Sequence, residues 1–477
     1  MRIHLLILFS LSAVLFSGCS QSDSSSAPLI ASSGSMSIGV SLPCGTTRVL
    51  ETADATKGLI TTWESTDALQ VFHKYTHNVA VGTMQGFTFA SKGTGSSTTF
   101  AYSGAAEYSF TPNSSLYAFN ALPTASNYTQ TYNSSNDNFT LSLSGYGSQN
   151  GTVANLRNYD AMYGVSSVNA EGAPAAMTMS HLTSVLRFDL TNSAFIGTLT
   201  SVVFTYTPSS GSSLLPASDS FTLSNTGTVT TSTLTGATSW TISNVSASSG
   251  TAPVYLMTFP DTRSGTLTIT ATDSDGSTYY RTITLSGLSL TSGSMKAYKV
   301  TLNPITTYSF KYYMWDAPTE YVSGTNNYNT ITSGVATNSC KDCPTFDQIQ
   351  MYLGAGVYWD TTTKWKDAIS GTIYTGGIWL KKKAYISGFD AGTATKTGTT
   401  IVRYTAGIPT NTSQYFFLPA NGLSGSISAF NLGSHGFYWS STRNSSATYA
   451  YSLVFQSSYV SAVSSLRSYD KCVWSVQ

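Results

Sequence analysis

The chain has 477 residues, a formal net charge of +1, and only 9% of its residues are Asp, Glu, Lys or Arg. That length exceeds what one core usually serves, so two or three domains are expected. Charge this sparse and balanced, against about 25% charged residues in ordinary soluble domains, argues against a protein that tracks nucleic-acid phosphates through a concentrated basic face. Ser, Thr, Gly and Tyr take the place of charge, and Thr and Tyr suit pleated, half-buried sheet surfaces.

Met1-Arg2-Ile3-His4 is a short basic start, followed by an apolar run from Leu5 to Phe16 and then Ser17-Gly18-Cys19. The run is too short to span a bilayer as a helix, and its flanks fit a cleaved secretion signal over residues 1–18. A Cys directly after small residues is the lipid-acceptor pattern of exported bacterial lipoproteins, so Cys19 is the expected lipidation site. Phe16 stands where that pattern usually has Leu, and Leu15 lies one place earlier. Ser20 to about Ser35 is Ser-rich, with too little apolar surface to fold, and reads as a tether. An outer-membrane anchor made of lipid rather than of a helix is the expectation.

From about Ser37 to Pro304 the apolar pattern has period two, which predicts short strands and a mainly β fold. Leu182, Leu186, Phe188 and Leu190 alternate with polar positions. Leu267–Ala271 and Ile283–Leu285 flank Asp273-Ser274-Asp275-Gly276 and predict a hairpin. The acidic turn superficially resembles a calcium loop but lacks the later acid, so a plain turn is expected. Gly, Ala and Pro cluster in Ser166–Pro174, which places a break between two tandem β-sandwiches at 49–170 and 171–305.

After Pro304 the composition shifts. Residues 306–477 hold six of the eight Trp and three of the five Cys, which marks a separate third domain. Thr345–Leu353 places Phe346, Ile349 and Leu353 on one helical face, with Pro344 before it and Gly354 after it, so this domain is expected to be α+β. Tyr449, Tyr451, Leu453 and Phe455 alternate as a strand. Cys340, Cys343 and Cys472 are disulfide candidates in an exported chain. A bridge from Cys472 to Cys340 or Cys343 would close a loop worth ~4 kcal/mol in the chain-entropy view.

Catalytic patterns do not stand out. No nucleophile elbow, zinc-protease helix or phosphate loop is present. His73 and His77 read as surface residues, His181 as part of a strand, and His435 as too isolated for zinc. No enzyme activity, cofactor or metal is expected.

Three stretches resemble the fimbrillin family, the subunits of type V pili: Thr47-Arg48 followed by Trp63-Glu64-Ser65-Thr66-Asp67-Ala68-Leu69-Gln70-Val71-Phe72; Leu116-Tyr117-Ala118-Phe119-Asn120-Ala121-Leu122-Pro123; and Asp160–Gly164 with Met179–Phe188. Cys340-Lys341-Asp342-Cys343-Pro344, Gly376-Gly377-Ile378-Trp379-Leu380, Tyr415–Ala420 and Gly436-Phe437-Tyr438-Trp439-Ser440-Ser441-Thr442 resemble the C-type-lectin-like domain found at the ends of some fimbrial tip proteins. The first resemblance implies transthyretin-like β-sandwiches and export as a lipoprotein. It also implies proteolytic processing, for which Arg48 is the matching residue, and assembly by strand donation from the next subunit. Residues 19–48 would then be a lipidated propeptide. The implied partners are other pilus subunits, the outer membrane before processing, and a host or bacterial surface glycan or protein.

A folded domain after Pro304 would block the strand an ordinary subunit donates, which implies a tip position. The lectin-like stretch lacks the Glu-Pro-Asn or Gln-Pro-Asp triplet of calcium-dependent sugar binding, so the name implies fold alone. Aromatic residues that could stack on sugar rings are Trp359, Trp365, Tyr374 and Trp379, with Lys381 and Lys382 as a basic contact, and each aromatic competes with a core reading. Trp439 reads as a buried framework residue. Two other readings compete: a lipid-anchored glycan-binding protein that never polymerises, and an enzyme on the fold shared with formylglycine-generating enzymes, using Cys340 and Cys343.

Overall fold

The computed structural model describes residues 36–42, 52–54, 58–60, 62–74, 84–102, 109–120, 128–193, 195, 198–209, 215–231, 233–248, 250–322, 326–389, 401–402, 404–425 and 428–477. The chain is mainly β and divides into two compact units, Met1–Pro304 and Ile305–Gln477.

The first unit begins with an eight-stranded sheet. Its strand order runs Met177–Thr178, Ser37–Ser41, Ser97–Ala101, Met84–Ser91, Ala68–Lys74, Ser115–Asn120, Met162–Ser167, Ser180–His181. The two outermost strands, Met177–Thr178 and Ser180–His181, are separated only by Met179, so the sheet curls back on itself. Successive side chains of a strand face opposite ways, and Ser115–Asn120 uses this to feed two cores. Leu116 and Ala118 join Ile38, Val40, Trp63, Leu69, Phe89, Phe100 and Met162 inside the curl. Tyr117 and Phe119 pack outside it with Phe139, Leu141, Phe221 and Phe259. His73 is buried rather than on the surface, stacked on Phe87 at 5.2 Å and edge-on to Phe110. An aromatic box shields the imidazole ring there, and a polar residue type in a strand does not reveal that from sequence.

A six-stranded sheet and a three-stranded sheet of Thr251–Thr258, Ser184–Thr191 and Met295–Thr301 sandwich a third core around Phe188, Phe204, Trp240 and Ile269. The hairpin of Asp261–Asp273 with Thr278–Leu290 forms as expected. Its turn is closed by the Asp273 carboxylate, which accepts the amides of Asp275 and Ser277 and the Tyr279 hydroxyl, so the acid serves the turn.

Strand pairing does not divide at 170/171. Asn138–Leu143 pairs with Leu215–Ser224, Ser148–Asn150 pairs with Ser239–Ser246, and Met177–His181 completes the first sheet. The Gly/Ala/Pro cluster at Ser166–Pro174 is a tight hairpin, not a linker. Val168 bridges Pro174, and Asn169 Oδ1 accepts the amides of Glu171 and Ala173. Turn residues mark a reversal of the chain, and that reversal lies within one sheet.

In the second unit the helix Phe346–Gly354 forms at the position predicted. Thr345 Oγ1 accepts the Gln348 amide at 3.2 Å and Gln348 Oε1 accepts the Thr345 amide at 2.9 Å, a reciprocal capping box. Its buried face of Ile349, Tyr352 and Leu353 packs with Trp359, Ile378, Leu380, Trp439 and Phe455. A five-stranded sheet contains Val357–Asp367, Ile373–Lys381 and Tyr415–Pro419, and a six-stranded sheet contains His435–Arg443, Tyr449–Gln456 and Tyr459–Leu466.

Candidate functional site

In the first unit the strand Ser37–Ser41 has an unusual position. It lies upstream of Arg48, yet it sits inside the sheet, antiparallel to Ser97–Ala101 over five residue pairs and parallel to Met177–Thr178. Backbone bonds from Tyr102 N to Met36 O, Leu42 N to Ser96 O and Met179 N to Ser41 O pin both of its ends. Met36, Ile38, Val40 and Leu42 are 4%, 1%, 2% and 9% exposed, so the strand fills a slot in the core. Taking it out would leave two unpaired strand edges and an apolar channel. Cys19, Cys44 and Arg48 themselves lie outside the described residues.

In the second unit the sugar-stacking candidates separate. Trp365 is fully buried and donates Nε1–H to Gly376 O at 2.9 Å, and Trp359 is 6% exposed. Tyr374 stacks on Trp365, with ring centroids 5.0 Å apart. These three belong to the packing of the unit. Trp379 and Lys381 instead point to the opposite face of the sheet, because they alternate with the buried Ile378 and Leu380. Cross-strand register adds residues that the sequence does not single out: Tyr358 and Phe417 lie directly beside Trp379, and Tyr415 beside Lys381. The Trp379 and Phe417 rings are 5.2 Å apart, and Tyr358 meets Tyr415 edge-on at 5.5 Å. Phe417 lies over Gly377, where any Cβ would strike the ring.

Asp360 anchors this face. It is fully buried, and its Oδ1 accepts the amides of Thr362 and Thr363 while Oδ2 accepts Trp379 Nε1–H at 2.9 Å. Burial pushes its pKa up, but hydrogen bonds from Thr363, Trp379 and Thr362 outweigh this and hold the carboxyl below its ordinary value. Lys382 reaches sideways, donating from Nζ to Ser413 O at 2.9 Å.

Cys340, Cys343 and Cys472 are all buried free thiols here. The Cys340 thiol meets Cys343, and the Cys343 amide bonds Cys340 O at 3.1 Å in a tight turn. Burial raises the Cys340 and Cys472 pKa values, which keeps both protonated and poorly nucleophilic. A reactive pair as in an oxidase-type site needs the opposite shift. Among the described residues no cluster of His, Cys, Asp and Glu has the geometry of a metal site.

Residues 47–333 match the family model described as fimbrillin-like, well over half of the chain. The chain belongs to the fimbrillin-like family. No curated protein matches it. Among solved structures it is similar to a Bacteroides ovatus chain assigned to cell adhesion, at 16% identity and a TM-score of 0.35, covering 56% of this chain and 94% of that one. A Bacteroides uniformis chain assigned to cell adhesion is similar at 13% identity and a TM-score of 0.34, covering 56% and 93%. Scores this low carry no argument about function.

Proposed function

We propose that this chain is a non-enzymatic, adhesin-type fimbrial subunit, exported as a lipoprotein through Cys19 and matured by cleavage after Arg48. In this reading Ser37–Ser41 is a placeholder strand. Cleavage frees it from the rest of the chain, and a strand from a neighbouring subunit replaces it. The observation that supports this is the inserted strand itself: four apolar side chains upstream of Arg48 complete a core that belongs otherwise to residues downstream. An anchored protein that never assembles has no use for a removable strand in that place.

The second unit follows Pro304 directly, so the end of the first unit is not a free strand available for donation. That supports a position at the tip, with Ile305–Gln477, a C-type-lectin-like fold, as the adhesive module. The mature protein then sits on the cell surface within the fimbrium, and its partners are other subunits and a surface ligand.

Mass spectrometry of the surface-exposed protein tests the reading. A mature N-terminus at Val49 together with co-purifying subunits is the expected result, whereas a lipidated Cys19 on the fully exported form overturns it in favour of the anchored alternative.

A further inference from the structure

The strand Met162–Ser167 buries one face and lends the other to a cleft in the first unit. Gly164 lies on the inner side, where a Cβ would strike Met177 and Met179, while Tyr163, Val165 and Ser167 point the opposite way. Register places a serine at each end of that outward row: Ser180 is the partner of Tyr163, and Ser115 is the partner of Ser167. The hairpin turn Asn225-Thr226-Gly227 faces the row and completes a cleft of about 310 Å³.

Both walls of the cleft are firmly held. Ser224 Oγ accepts the amides of Thr226 and Thr228, and the Gly227 amide bonds Ser224 O at 3.0 Å, so the turn is closed on itself. The Asp137 carboxylate accepts one N–H of the Asn225 side chain at 3.0 Å, which fixes that amide at the rim. Tyr163 ties the two walls together. Its hydroxyl donates to Gly227 O at 3.5 Å and takes a hydrogen bond from Ser180, and its half-buried ring packs on the aromatic core. Burial raises the phenol's pKa, with the Ser180 bond opposing, so the group is uncharged.

The lining has a uniform chemistry. None of its residues is charged, and apart from Tyr163, Val165 and two glycines it consists of serines, threonines and one asparagine. Hydroxyls both donate and accept hydrogen bonds, which matches a ligand that is itself an array of hydroxyls. Tyr163 and Val165 supply the apolar patch that the C–H face of a sugar ring needs. An ionic ligand would lose its hydration here with no opposite charge in the lining to meet. An added peptide strand would need an open edge, and Tyr163 already has Phe119 on one side and Ser180 on the other.

We propose that this cleft binds an uncharged sugar unit of a surface glycan, its ring on Tyr163 and its hydroxyls between the Ser115–Ser167 pair and the Asn225 amide. Ligand sites begin at ~300 Å³, and a cleft at that small end suits a terminal sugar rather than a long chain. The site lies outside Ile305–Gln477 and is independent of the adhesive role given to that unit.

The test uses the full chain in saturation-transfer NMR and calorimetry. The probes are the methyl glycosides of glucose, galactose, mannose and N-acetylglucosamine, with glucuronate and glucosamine as charged sugars and an uncharged Ser/Thr peptide. Binding of at least one neutral glycoside, unchanged between low and high salt, is expected. Asn225→Ala should weaken it about fivefold, the scale of one neutral hydrogen bond. Ser167→Tyr suits an exposed strand position but fills the cleft, and should abolish binding. Thr284→Tyr, at an exposed strand position outside the cleft, should change nothing. Melting curves show that each variant folds; if Ser167→Tyr does not, Asn225→Ala decides. The site is overturned if no neutral glycoside binds, if binding is unmoved by both cleft variants, or if a charged sugar or the peptide binds more tightly. None of these outcomes touches the subunit reading, which the mature N-terminus decides.

Discussion

The Arg467 guanidinium lies 4.3 Å from the centre of the Trp315 indole ring, and both side chains are fully buried. Its nitrogens donate to four backbone carbonyls, those of Tyr449, Asn329, Ile331 and Ser446. One planar fork thus ties two separated loops to the end of the Tyr459–Leu466 strand. A lysine has the same charge but no fork, so it cannot serve four divergent carbonyls. Arg467→Lys is expected to destabilise the second unit by ~3 kcal/mol, seen as earlier thermal unfolding and faster proteolysis after residue 305, with the first unit unchanged. Unaltered melting would show that water or rearranged carbonyls replace the fork.

Lys471 is a buried ammonium beside two hydroxyls. Its Nζ donates to Ser452 Oγ at 2.9 Å and Ser465 Oγ at 2.7 Å, and it lies over the Phe437 and Trp439 rings. Burial pushes its pKa down to about 7, with the Asp470 charge opposing weakly. In the unfolded chain the same amine holds its proton to about pH 10.4. Between these values the unfolded state binds more protons, so stability rises with pH. Buried Cys472 and Tyr438, raised in the folded state, act oppositely once the unfolded thiol and phenol begin to ionise near pH 9. The second unit should therefore gain up to ~1 kcal/mol per pH unit between pH 7 and 9. Lys471→Met should flatten that slope, and melting temperatures of the full chain at pH 7, 8 and 9 measure it.

Removing the slot-filling character of Ser37–Ser41 should matter only while the strand is in place. Ile38 is 1% exposed, and a carboxylate there would be buried without a partner. Ile38→Asp is expected to cost ~4 kcal/mol in the uncut precursor. The cost should vanish in a mature subunit whose core has been completed by another strand. Chemical denaturation of the two forms separates them; equal losses in both would show that the strand is permanent.

Cys340 and Cys343 meet across a single turn, so oxidation in an exporting cell is expected to join that pair and leave Cys472 as a buried thiol. Peptide mapping of the exported protein without reductant would show Cys340 linked to Cys343. A Cys472-containing crosslink would contradict this.

Local signals read well from sequence in this chain. The capping box at Thr345 and Gln348, the hairpin at Asp273–Gly276 and the existence of a strand at Tyr449–Gln456 each depend on neighbours a few residues away. Partner choice did not read as well, because register is decided between strands far apart in sequence. Tyr358, Tyr415 and Phe417 become one surface only through their pairing with Ile373–Lys381. Met36, Ile38, Val40 and Leu42 do carry a period-two signal, alternating with Ser37, Gly39 and Ser41, but it directly follows the Ser-rich tether. Composition there masks a strand that the geometry makes central.

The curled sheet of the first unit has a consequence for the proposed assembly. Met177–Thr178 and Ser180–His181 form the two limits of the sheet while being almost contiguous in the chain, with Ser37–Ser41 as the stave between the first of them and the rest. While that stave is in place, Ser97–Ala101 and Met177–Thr178, the strands on either side of it, both have a backbone partner there. If cleavage after Arg48 and strand exchange operate as proposed, assembly competence is stored behind one peptide bond, and the timing of polymerisation would belong to the protease and not to the concentration of subunits.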